Sequence, residues 1–405
     1  MPIVGMVGGG QLARMTAQAA IGLGASFRVL AGSASESAAL VTSDVAVGSH
    51  LSLADVSSFA SGCDVVTFDH EHVPGEVLAS VESSGVLVRP GSAALRFTQD
   101  KLAMREKLSS LGVPCPRFAG VSCLADVEAF AESVGGLAGG SAGEPGGGSA
   151  GGSWPVVLKA VSGGYDGKGV WVASSSREAA SIVDAATSRG LSLLAEEFVP
   201  FRRELAALAA RSPSKQGAVY PVVETVQVEG VCREVIAPAP GLAAPVAESA
   251  QSLALTIASA LDVVGLLAVE LFETPSGSLL VNELAMRPHN SGHWTMDGAR
   301  TSQFEQHLRA VLDLPLGSPA PVAAGGFTVM ANILGGTDPD VYDRYVHVMA
   351  ADPALKVHFY GKEIRPGRKV GHVNLAGGRG EAVAPLRDRA RRAASYLRWG
   401  TEDGD

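Results

Sequence analysis

The first part of the chain alternates short apolar runs with segments of helical composition. Strands that alternate with helices are typical of a parallel sheet with helices on its faces. We therefore predict a Rossmann-like α/β domain over residues 1–95. The predicted strands are Pro2–Val7, Ser26–Leu30, Val45–Val47, Val65–Phe68 and Val86–Val88, and the helices between them are Gln11–Leu23, Leu53–Ala60 and Gly75–Ser84.

The pattern changes from Trp154 onward, where most apolar runs are separated only by turns. This succession predicts an α+β unit with a largely antiparallel sheet. The predicted strands are Pro155–Ala160, Val170–Ala173, Leu191–Glu196, Glu204–Ala210, Ala218–Val228, Leu267–Phe272 and Ser278–Leu284, and the helices are Arg177–Arg189 and Ala247–Leu261. The tail adds a helix at Ser302–Leu312, strands at Phe327–Leu334, Lys356–Tyr360 and Val370–Leu375, and a closing helix from Ala384.

A low-complexity segment separates the two patterns. Residues 135–153 consist almost entirely of Gly, Ala and Ser, so this insert has nothing to bury and is expected to form a flexible surface segment. A helical stretch, Ala103–Leu111, precedes it. We predict a central lid region at 96–200 that contains the insert, and a C-terminal domain at 201–405.

The composition is that of a globular protein with several domains, since the 405 residues are 46% hydrophobic and 18% charged. A net charge of -9 without a long Lys/Arg tract argues against a nucleic-acid partner. The most apolar segment, Leu253–Phe272, contains Asp262 and Glu270, which argues against a membrane span. The four cysteines show no CxxC spacing and no signal peptide is recognisable, so we expect reduced thiols and a cytoplasmic location.

Two carboxylates, Glu270 and Glu283, are predicted to face each other across a β-hairpin. Two apolar runs flank a Thr-Pro-Ser-Gly turn, and a two-residue loop would pair Pro275 with Ser278 and, counting outward, Glu270 with Glu283. Like charges directly opposed at about 5 Å are destabilising, and a hard cation such as Mg²⁺ removes that cost. We predict a magnesium site here. The alternative is a solvated edge that tolerates the repulsion.

The segment Gly8–Ala13 follows the first strand, opens a helix and fits the pattern G-x-G-x-x-A. Such a turn leaves backbone N–H groups free at a helix N-terminus, which predicts a contact with phosphate. The second strand leads into Gly32 without the acidic residue that would hold a ribose. The sequence therefore argues against NAD or FAD.

A second glycine-rich segment, Ser162–Gly169, lies between two predicted strands. Its backbone can lie against phosphates, and Lys159 at its base and Lys168 within it supply positive charge. It is not a Walker A loop, because a strand rather than a helix follows it. The alternative is an ordinary long hairpin turn, on which Asp166 would be unexplained.

Two further segments suggest nucleotide contacts. Glu196–Val199 ends a strand, so it could offer backbone groups to an adenine edge and a carboxylate to a ribose; on its own this segment would be a surface turn. Residues 360–372 contain four cations around a Pro-Gly turn, a pattern suited to a phosphate monoester; the alternative is a solvated basic loop. These cations are Lys362, Arg365, Arg368 and Lys369.

Polar donors are dense in Met286–His293, directly after the proposed metal strand, which predicts a substrate wall. Its two histidines are four residues apart, but a proline and a glycine argue against the helix that a zinc pair would need. Asp69–His72 carries two more histidines, which we expect to be hydrogen-bonding loop residues. Glu71 is then available for an amine or a hydroxyl.

In their order and spacing these motifs resemble the ATP-grasp superfamily and, within it, the family of bacterial N5-carboxyaminoimidazole ribonucleotide synthases. The resemblance covers nearly the whole chain. It implies an ATP-grasp fold of α/β and α+β parts, with an N-terminal Rossmann-like parallel-sheet domain, a central lid domain and a C-terminal α+β domain. The motifs that carry it are Gly8–Leu12, Lys159–Gly169, Glu270, Asn282-Glu283, Arg287–His293 and Arg365–His372.

The family's reaction is the ATP-dependent carboxylation of 5-aminoimidazole ribonucleotide by bicarbonate, through carboxyphosphate, in de novo purine biosynthesis. The resemblance thus implies ATP and one or two Mg²⁺ ions as cofactors, small-molecule substrates and a homodimer. The chain departs from the family pattern in its long Gly/Ser-rich insert and in Ala13, where many relatives have glycine. Neither departure removes an expected functional residue.

The resemblance also implies roles for individual residues. ATP would be held by Lys101, Lys159, Gly163, Gly164, Gly167, Gly169, Glu196, Glu197, Phe198, Val199, Glu204 and Asn282, and Mg²⁺ by Glu270 and Glu283. The ribonucleotide would be surrounded by Gln11, Leu12, Glu71, Asn290, Arg368 and Lys369. The catalytic candidates are Tyr165, Asp166, Lys168, Arg287, His289 and Lys362.

Two other functions stay open on the sequence. One is a different ATP-grasp ligase, such as a formate-dependent glycinamide ribonucleotide transformylase, which would share the ATP site but not the acceptor wall. The other is an ATP-binding regulatory protein without turnover. The presence of both metal carboxylates and both lysines argues against the second.

Overall fold

The computed structural model describes residues 1–135, 154–164 and 167–401, which form three sheets. Tyr165, Asp166 and all of the predicted insert except Gly135 lie outside these ranges. Within them, no helix is long and apolar enough to cross a membrane.

Five parallel strands form the N-terminal sheet in the order β3-β2-β1-β4-β5, which confirms the predicted α/β domain. β4 is buried along its whole length, which explains its continuous apolar sequence. Helix α5 begins after Asp100, whose carboxylate accepts a hydrogen bond from Ala103 N at 2.8 Å and so caps it. The elements are β1 (Ile3–Val7), α1 (Gln11–Leu23), β2 (Ser26–Ala31), β3 (Asp44–Val47), α2 (Leu53–Ala60), β4 (Val65–Phe68), α3 (Gly75–Ser83), β5 (Leu87–Val88), α4 (Ser92–Gln99) and α5 (Lys101–Ser110).

A four-stranded antiparallel sheet follows, in the order β6-β9-β7-β8. The sequence pattern predicts its last three strands, but it does not predict β6, a short strand with few buried residues, or α6. The elements are β6 (Phe118–Val121), α6 (Leu124–Gly135), β7 (Val156–Ala160), β8 (Val170–Ala173), α7 (Ser176–Thr187) and β9 (Leu193–Glu197).

The third sheet has the order β15-β14-β10-β12-β13-β16-β18-β17, with β11 paired to β10. The prediction of a single strand over Ala218–Val228 is wrong, because two strands are separated at Pro221. Proline has no N–H to donate to a ladder. Its elements are β10 (Arg203–Arg211), β11 (Gly217–Val219), β12 (Val223–Val228), β13 (Val231–Ala237), α8 (Ala244–Ala260), β14 (Gly265–Glu273), β15 (Leu279–Ala285), a 3-10 turn (Asn290–Gly292), α9 (Thr295–Gly298), α10 (Gln303–Val311), β16 (Thr328–Leu334), α11 (Asp343–Ala351), β17 (Lys356–Phe359), β18 (Lys369–Ala376) and α12 (Val383–Trp399).

His307 joins the N-terminal sheet to the large sheet. Its Nδ1 accepts a hydrogen bond from Leu266 N at 3.2 Å, so Nε2 carries the proton and donates to Thr67 Oγ1 at 2.7 Å. Burial lowers the pKa of His307 to about 3, so the ring is neutral. Helix α10, which carries His307, also packs against α1. The first residues of α1 are thereby held beside the large sheet.

Candidate active site

The β14–β15 hairpin places Glu270 opposite Glu283, as predicted. The turn that connects the strands is wider than predicted, because Thr274 N donates to Ser278 O at 2.9 Å. The predicted two-residue loop, with Pro275 paired to Ser278, is therefore wrong. The predicted pairing of Glu270 with Glu283 is nevertheless confirmed, although the turn is one residue longer than predicted.

A β-bulge at Asn282 compensates for that difference. On the turn side Leu271 pairs with Val281, whereas Glu270 pairs with Glu283, so Asn282 is the extra residue. Side chains alternate between the faces of a strand, and a shift of one residue changes the face. In a regular ladder Asn282 would face Glu270 and Glu283 would lie on the other side of the sheet. The bulge is therefore what brings the two carboxylates together.

Glu204 lies on the same face of the sheet. β10 pairs with β14 so that Ala206 is opposite Glu270, and Glu204 is two residues from Ala206. Burial raises the pKa of Glu270 to about 8, and the charges of Glu283 and Glu204 add to the effect. Burial also raises the pKa of Glu204 to about 7. The raised pKa values show that the neighbouring cations do not neutralise these carboxylates fully.

A bound Mg²⁺ ion would supply the missing positive charge, and proteins hold this ion with one or two carboxylates together with substrate phosphates. Glu270 and Glu283 are the pair with that geometry. Across the described ranges, no group of three His, Cys, Asp or Glu side chains could hold a metal by itself. His70 Nδ1 accepts a hydrogen bond from His72 N at 3.3 Å, as expected for hydrogen-bonding loop residues.

The two lysines predicted to hold ATP phosphates reach this hairpin. Lys101 Nζ forms an ion pair with Glu283. Lys159 Nζ lies 2.7 Å from Glu196 Oε2 and donates to Asn282 Oδ1 at 3.0 Å. Burial lowers the pKa of Lys159, and Glu196 opposes that shift. Lys101 and Lys159 thus both contact the bulged strand β15, at Glu283 and at Asn282.

The two glutamates of the predicted adenine hinge, Glu196 and Glu197, bind partners within the protein. Burial acts to raise the pKa of Glu196, but Lys159 and Arg105 together outweigh burial and hold this pKa below its usual range. Glu197 accepts hydrogen bonds from Arg117 N and Nε at 2.9 and 2.7 Å. These two carboxylates are therefore not directed at a ribose, which corrects the sequence interpretation. The hinge also contains the exposed Phe198 and the buried Val199.

The glycine-rich loop between β7 and β8 needs its glycines. Gly163, Gly167 and Gly169 have φ values of 78°, 74° and 74°, a region that disfavours other residues. A Cβ on Gly164 would lie 2.7 Å from Lys168 O. Lys168 itself is exposed. The glycines therefore fit the backbone course of this loop, and its contact with a phosphate stays a prediction.

The N-terminus of α1 is occupied by carboxylates, which corrects the prediction of open N–H groups. Asp69 accepts hydrogen bonds from Gly10 N and Ala13 N at 3.0 and 2.8 Å. Glu36 accepts one from Gly9 N at 3.1 Å. Over the described residues, the amides of this turn that make no hydrogen bond within the chain are those of Gln11 and Leu12.

The polar segment after β15 forms a wall beside the hairpin. Glu71 Oε1 accepts a hydrogen bond from Met286 N at 2.5 Å, and Arg287 Nε lies 3.2 Å from Glu71 Oε2. His289 Nε2 lies 3.5 Å from Glu270 Oε1. Burial lowers the pKa of His289 to about 3, and Arg287 adds to the effect, so the ring is neutral. The wall and the metal hairpin therefore meet at His289.

Gln303, which the sequence motifs do not single out, holds this wall. Its Oε1 accepts from His289 N at 2.9 Å, and its Nε2 donates to His289 O at 2.8 Å and to His293 Nδ1 at 2.9 Å. The Asn290 Nδ2 atom is buried and meets no hydrogen-bond acceptor at normal geometry within the described residues. Its side chain lies beside the buried Cys232 thiol, whose pKa burial raises and Asn290 lowers.

The four cations of residues 360–372 contact different partners within the chain, and the compact anion site stays a prediction. Lys362 Nζ donates to Gln11 Oε1. Arg365 pairs with Glu363 at 2.5 Å on the surface. Lys369 lowers the pKa of Glu270. Arg368 is exposed at the turn.

Sequence reasoning missed Asp69 and Arg105. Asp69 directly follows β4, and the carboxyl ends of parallel strands are where ligands bind, so its position was a usable signal. Arg105 lies four residues after Lys101 in one helix, on the same face. That spacing places a second cation beside a predicted phosphate ligand.

Comparison with known proteins agrees with this geometry. Sequence models of three domain families match the chain: the ribonucleotide synthetase preATP-grasp domain at residues 1–99, the ATP-grasp domain at 106–304 and the phosphoribosylaminoimidazole carboxylase C-terminal domain at 328–385. A Mycobacterium tuberculosis protein named N5-carboxyaminoimidazole ribonucleotide synthase is 53% identical over 402 residues, which cover 98% of this chain and 88% of the relative.

Solved structures give the same result. N5-carboxyaminoimidazole ribonucleotide synthetase from Thermus thermophilus is 37% identical with a TM-score of 0.82, over 98% of both chains. The Aspergillus clavatus synthase, crystallised with ADP and 5-aminoimidazole ribonucleotide, is 31% identical with a TM-score of 0.81, over 96% of this chain and 99% of that one. The predicted ATP-grasp fold is confirmed. The chain belongs to the N5-carboxyaminoimidazole ribonucleotide synthase family of the ATP-grasp superfamily.

Proposed function

We propose that this enzyme couples ATP hydrolysis to the carboxylation of 5-aminoimidazole ribonucleotide by bicarbonate. The products are N5-carboxyaminoimidazole ribonucleotide, ADP and phosphate, in de novo purine biosynthesis. The observation that carries the proposal is the junction of two sites. The Glu270–Glu283 pair with its lysines suits Mg²⁺ and ATP phosphates, and His289 of the acceptor wall lies 3.5 Å from Glu270.

The chemistry explains why the two sites adjoin. Bicarbonate is a poor electrophile, so one of its oxygens attacks the γ-phosphorus and ADP leaves, which gives carboxyphosphate. Carboxyphosphate releases CO₂ and phosphate, and the amine nitrogen attacks CO₂ and loses a proton. Phosphoryl transfer needs positioning and charge neutralisation more than a protein nucleophile. A labile intermediate also needs a short path and a site closed to water.

The ATP half of the site would work through fixed charges. Lys101 and Lys159 would hold phosphate oxygens, and Mg²⁺, when bound at Glu270 and Glu283, neutralises charge on the transferred group. Asn282 would lie beside the ion. The adenine would contact the backbone of residues 196–199 and the Phe198 side chain, with Glu204 near the ribose. The glycines Gly163, Gly164, Gly167 and Gly169 would cover the phosphates.

The ribonucleotide half would lie between α1 and the wall. Arg287 and Lys362 would supply positive charge to the substrate, with Glu71 fixing the Arg287 side chain. The neutral His289 ring can form a hydrogen bond with the amine. Further contacts would come from Gln11, Leu12, Asn290, Arg368 and Lys369.

Tyr165, Asp166 and Lys168 would close over the reacting centre. We propose that Asp166 accepts the proton that the amine loses. Asp166→Asn should then lower the carboxylation rate roughly tenfold or more while the KM for ATP is unchanged, because the amide cannot accept the proton. Steady-state kinetics with each substrate varied in turn checks this. Equal losses in carboxylation and in ATP binding would contradict the role.

Release of ADP with each substrate omitted in turn tests the whole proposal. We expect ADP release to require bicarbonate and to be stimulated by aminoimidazole ribonucleotide, with a homodimer as the active species. Glycinamide ribonucleotide with formate serves as the comparison, since another ATP-grasp ligase would use such a pair. ADP release that does not depend on aminoimidazole ribonucleotide would overturn the proposal.

A further inference from the structure

Arg105 is a fully buried arginine on α5, one turn after Lys101. Each of its three nitrogens donates a hydrogen bond. Nε donates to Glu196 Oε1 at 2.7 Å, Nη1 to Val281 O at 2.8 Å and Nη2 to Asn282 O at 2.7 Å. The guanidinium therefore reaches from the lid sheet, which carries Glu196, to the bulged strand of the large sheet.

The two carbonyl groups are the informative partners. Successive carbonyls in a regular strand point in opposite directions within the sheet, so one guanidinium cannot donate hydrogen bonds to both from the same side. At a bulge the pattern is interrupted and consecutive carbonyls can turn to one side. The contacts to Val281 O and Asn282 O are thus compatible with the bulge and not with a regular ladder.

We infer that Arg105 is a positioning residue that keeps Glu283 on the metal face of the sheet. By holding both carbonyls it stabilises the extra residue, Asn282, against the regular register. In that register Asn282 would face Glu270 and Glu283 would leave the site. The inference rests on the proposed function, since it assigns the bulge to the metal pair.

A merely structural role is the alternative, and the chain offers a matched control for it. Arg344 also donates to two consecutive carbonyls, Leu397 O at 3.0 Å and Arg398 O at 2.9 Å, and pairs with Asp338 at 2.6 Å. These partners lie in the C-terminal part of the chain, away from the metal hairpin. Arg344→Met therefore removes the same kind of contacts without changing the β14–β15 register.

The test measures Mn²⁺ binding to the protein in the presence of ATP. The electron paramagnetic resonance signal of free Mn²⁺ reports how much of the ion is unbound. For Arg105→Met we expect a Kd for Mn²⁺ at least tenfold higher than in the wild type, with a lower kcat, whereas Arg344→Met keeps the wild-type Kd. If Arg105→Met does not fold, Arg105→Lys carries the test. Its ammonium can pair with Glu196 but cannot hold both carbonyls, so a Kd at least threefold higher is expected.

A second substitution tests the register itself. If Arg105→Met lets the strand return to the regular ladder, residue 282 faces Glu270, and adding Asn282→Glu should recover at least fivefold in Mn²⁺ affinity. No recovery, or a wild-type Kd in Arg105→Met, would overturn the inference. A wild-type protein that binds no Mn²⁺ with ATP would instead contradict the metal site of the proposed function, so the two failures are distinguishable.

Discussion

Replacing Glu270 with Gln is expected to lower kcat about 1000-fold and, without ligands, to stabilise the protein at alkaline pH. The loss of activity follows from the proposed metal role, because an amide is a weaker ligand and carries no charge to hold Mg²⁺ against ATP phosphates. Metal stabilisation of developing charge amounts to several kcal/mol, which corresponds to a factor of about 1000. The opposite effect on stability separates this residue from an ordinary structural carboxylate.

The gain in stability follows from the raised pKa of Glu270. Its carboxyl group has a pKa of about 8 in the folded protein, because of burial and the nearby Glu283, against 4.5 in the unfolded chain. Between these values the folded state binds more protons than the unfolded state, so stability falls as pH rises. The contribution is fully present below about pH 4.5 and is lost as pH passes 8. Gln removes that loss, since it does not ionise.

Thermal unfolding without ligands at pH 5 and pH 8.5 measures the effect. We expect the Glu270→Gln variant to have a Tm roughly 2–4 °C higher than the wild type at pH 8.5 and a nearly equal Tm at pH 5. Glu76→Gln, on the exposed side of α3, is the control and should change neither Tm nor kcat. A variant less stable than the wild type at pH 8.5 would show that Glu270 stabilises the resting enzyme.

The fold was predictable where local pattern and tertiary environment agree. The helices at Gln11–Leu23 and Leu53–Ala60 and the strands at Val65–Phe68 and Val170–Ala173 have the predicted bounds. β13 was not predicted, because Arg233 and Glu234 interrupt its apolar run although the strand pairs on both sides. Strands like this one depend on partners far away in sequence.

The site was predictable at the level of residue types but not of contacts. The Glu270–Glu283 pair followed from hairpin counting, yet it depends on a bulge at Asn282 that the turn sequence does not encode. Free amides at the start of α1 were a sound expectation from the glycines, but Asp69, from a distant strand, accepts two of them. In both cases the missing information is a long-range partner, a guanidinium or a carboxylate.

Lys362→Met is expected to raise the KM for aminoimidazole ribonucleotide about 100-fold and to leave ATP-dependent Mn²⁺ binding unchanged. Lys362 Nζ donates to Gln11 Oε1, so this lysine reaches from the loop after β17 to the first residue of α1. A substrate between these elements would gain a charge-assisted hydrogen bond, and losing such a bond costs about 1.5–3 kcal/mol. The upper end of that range corresponds to roughly a factor of 100.

The location of Lys362 makes the predicted effect selective. Its contact is with the N-terminal domain, whereas the lysines proposed for ATP, Lys101 and Lys159, contact Glu283 and Asn282 on the large sheet. Lys356→Met, at the exposed start of β17, removes the same charge from the same strand region and should change neither parameter. Weaker Mn²⁺ binding with ATP in Lys362→Met would contradict the division into two half-sites. An unchanged KM would show that the ribonucleotide is held by other cations, of which Arg287 is the nearest to the hairpin in sequence.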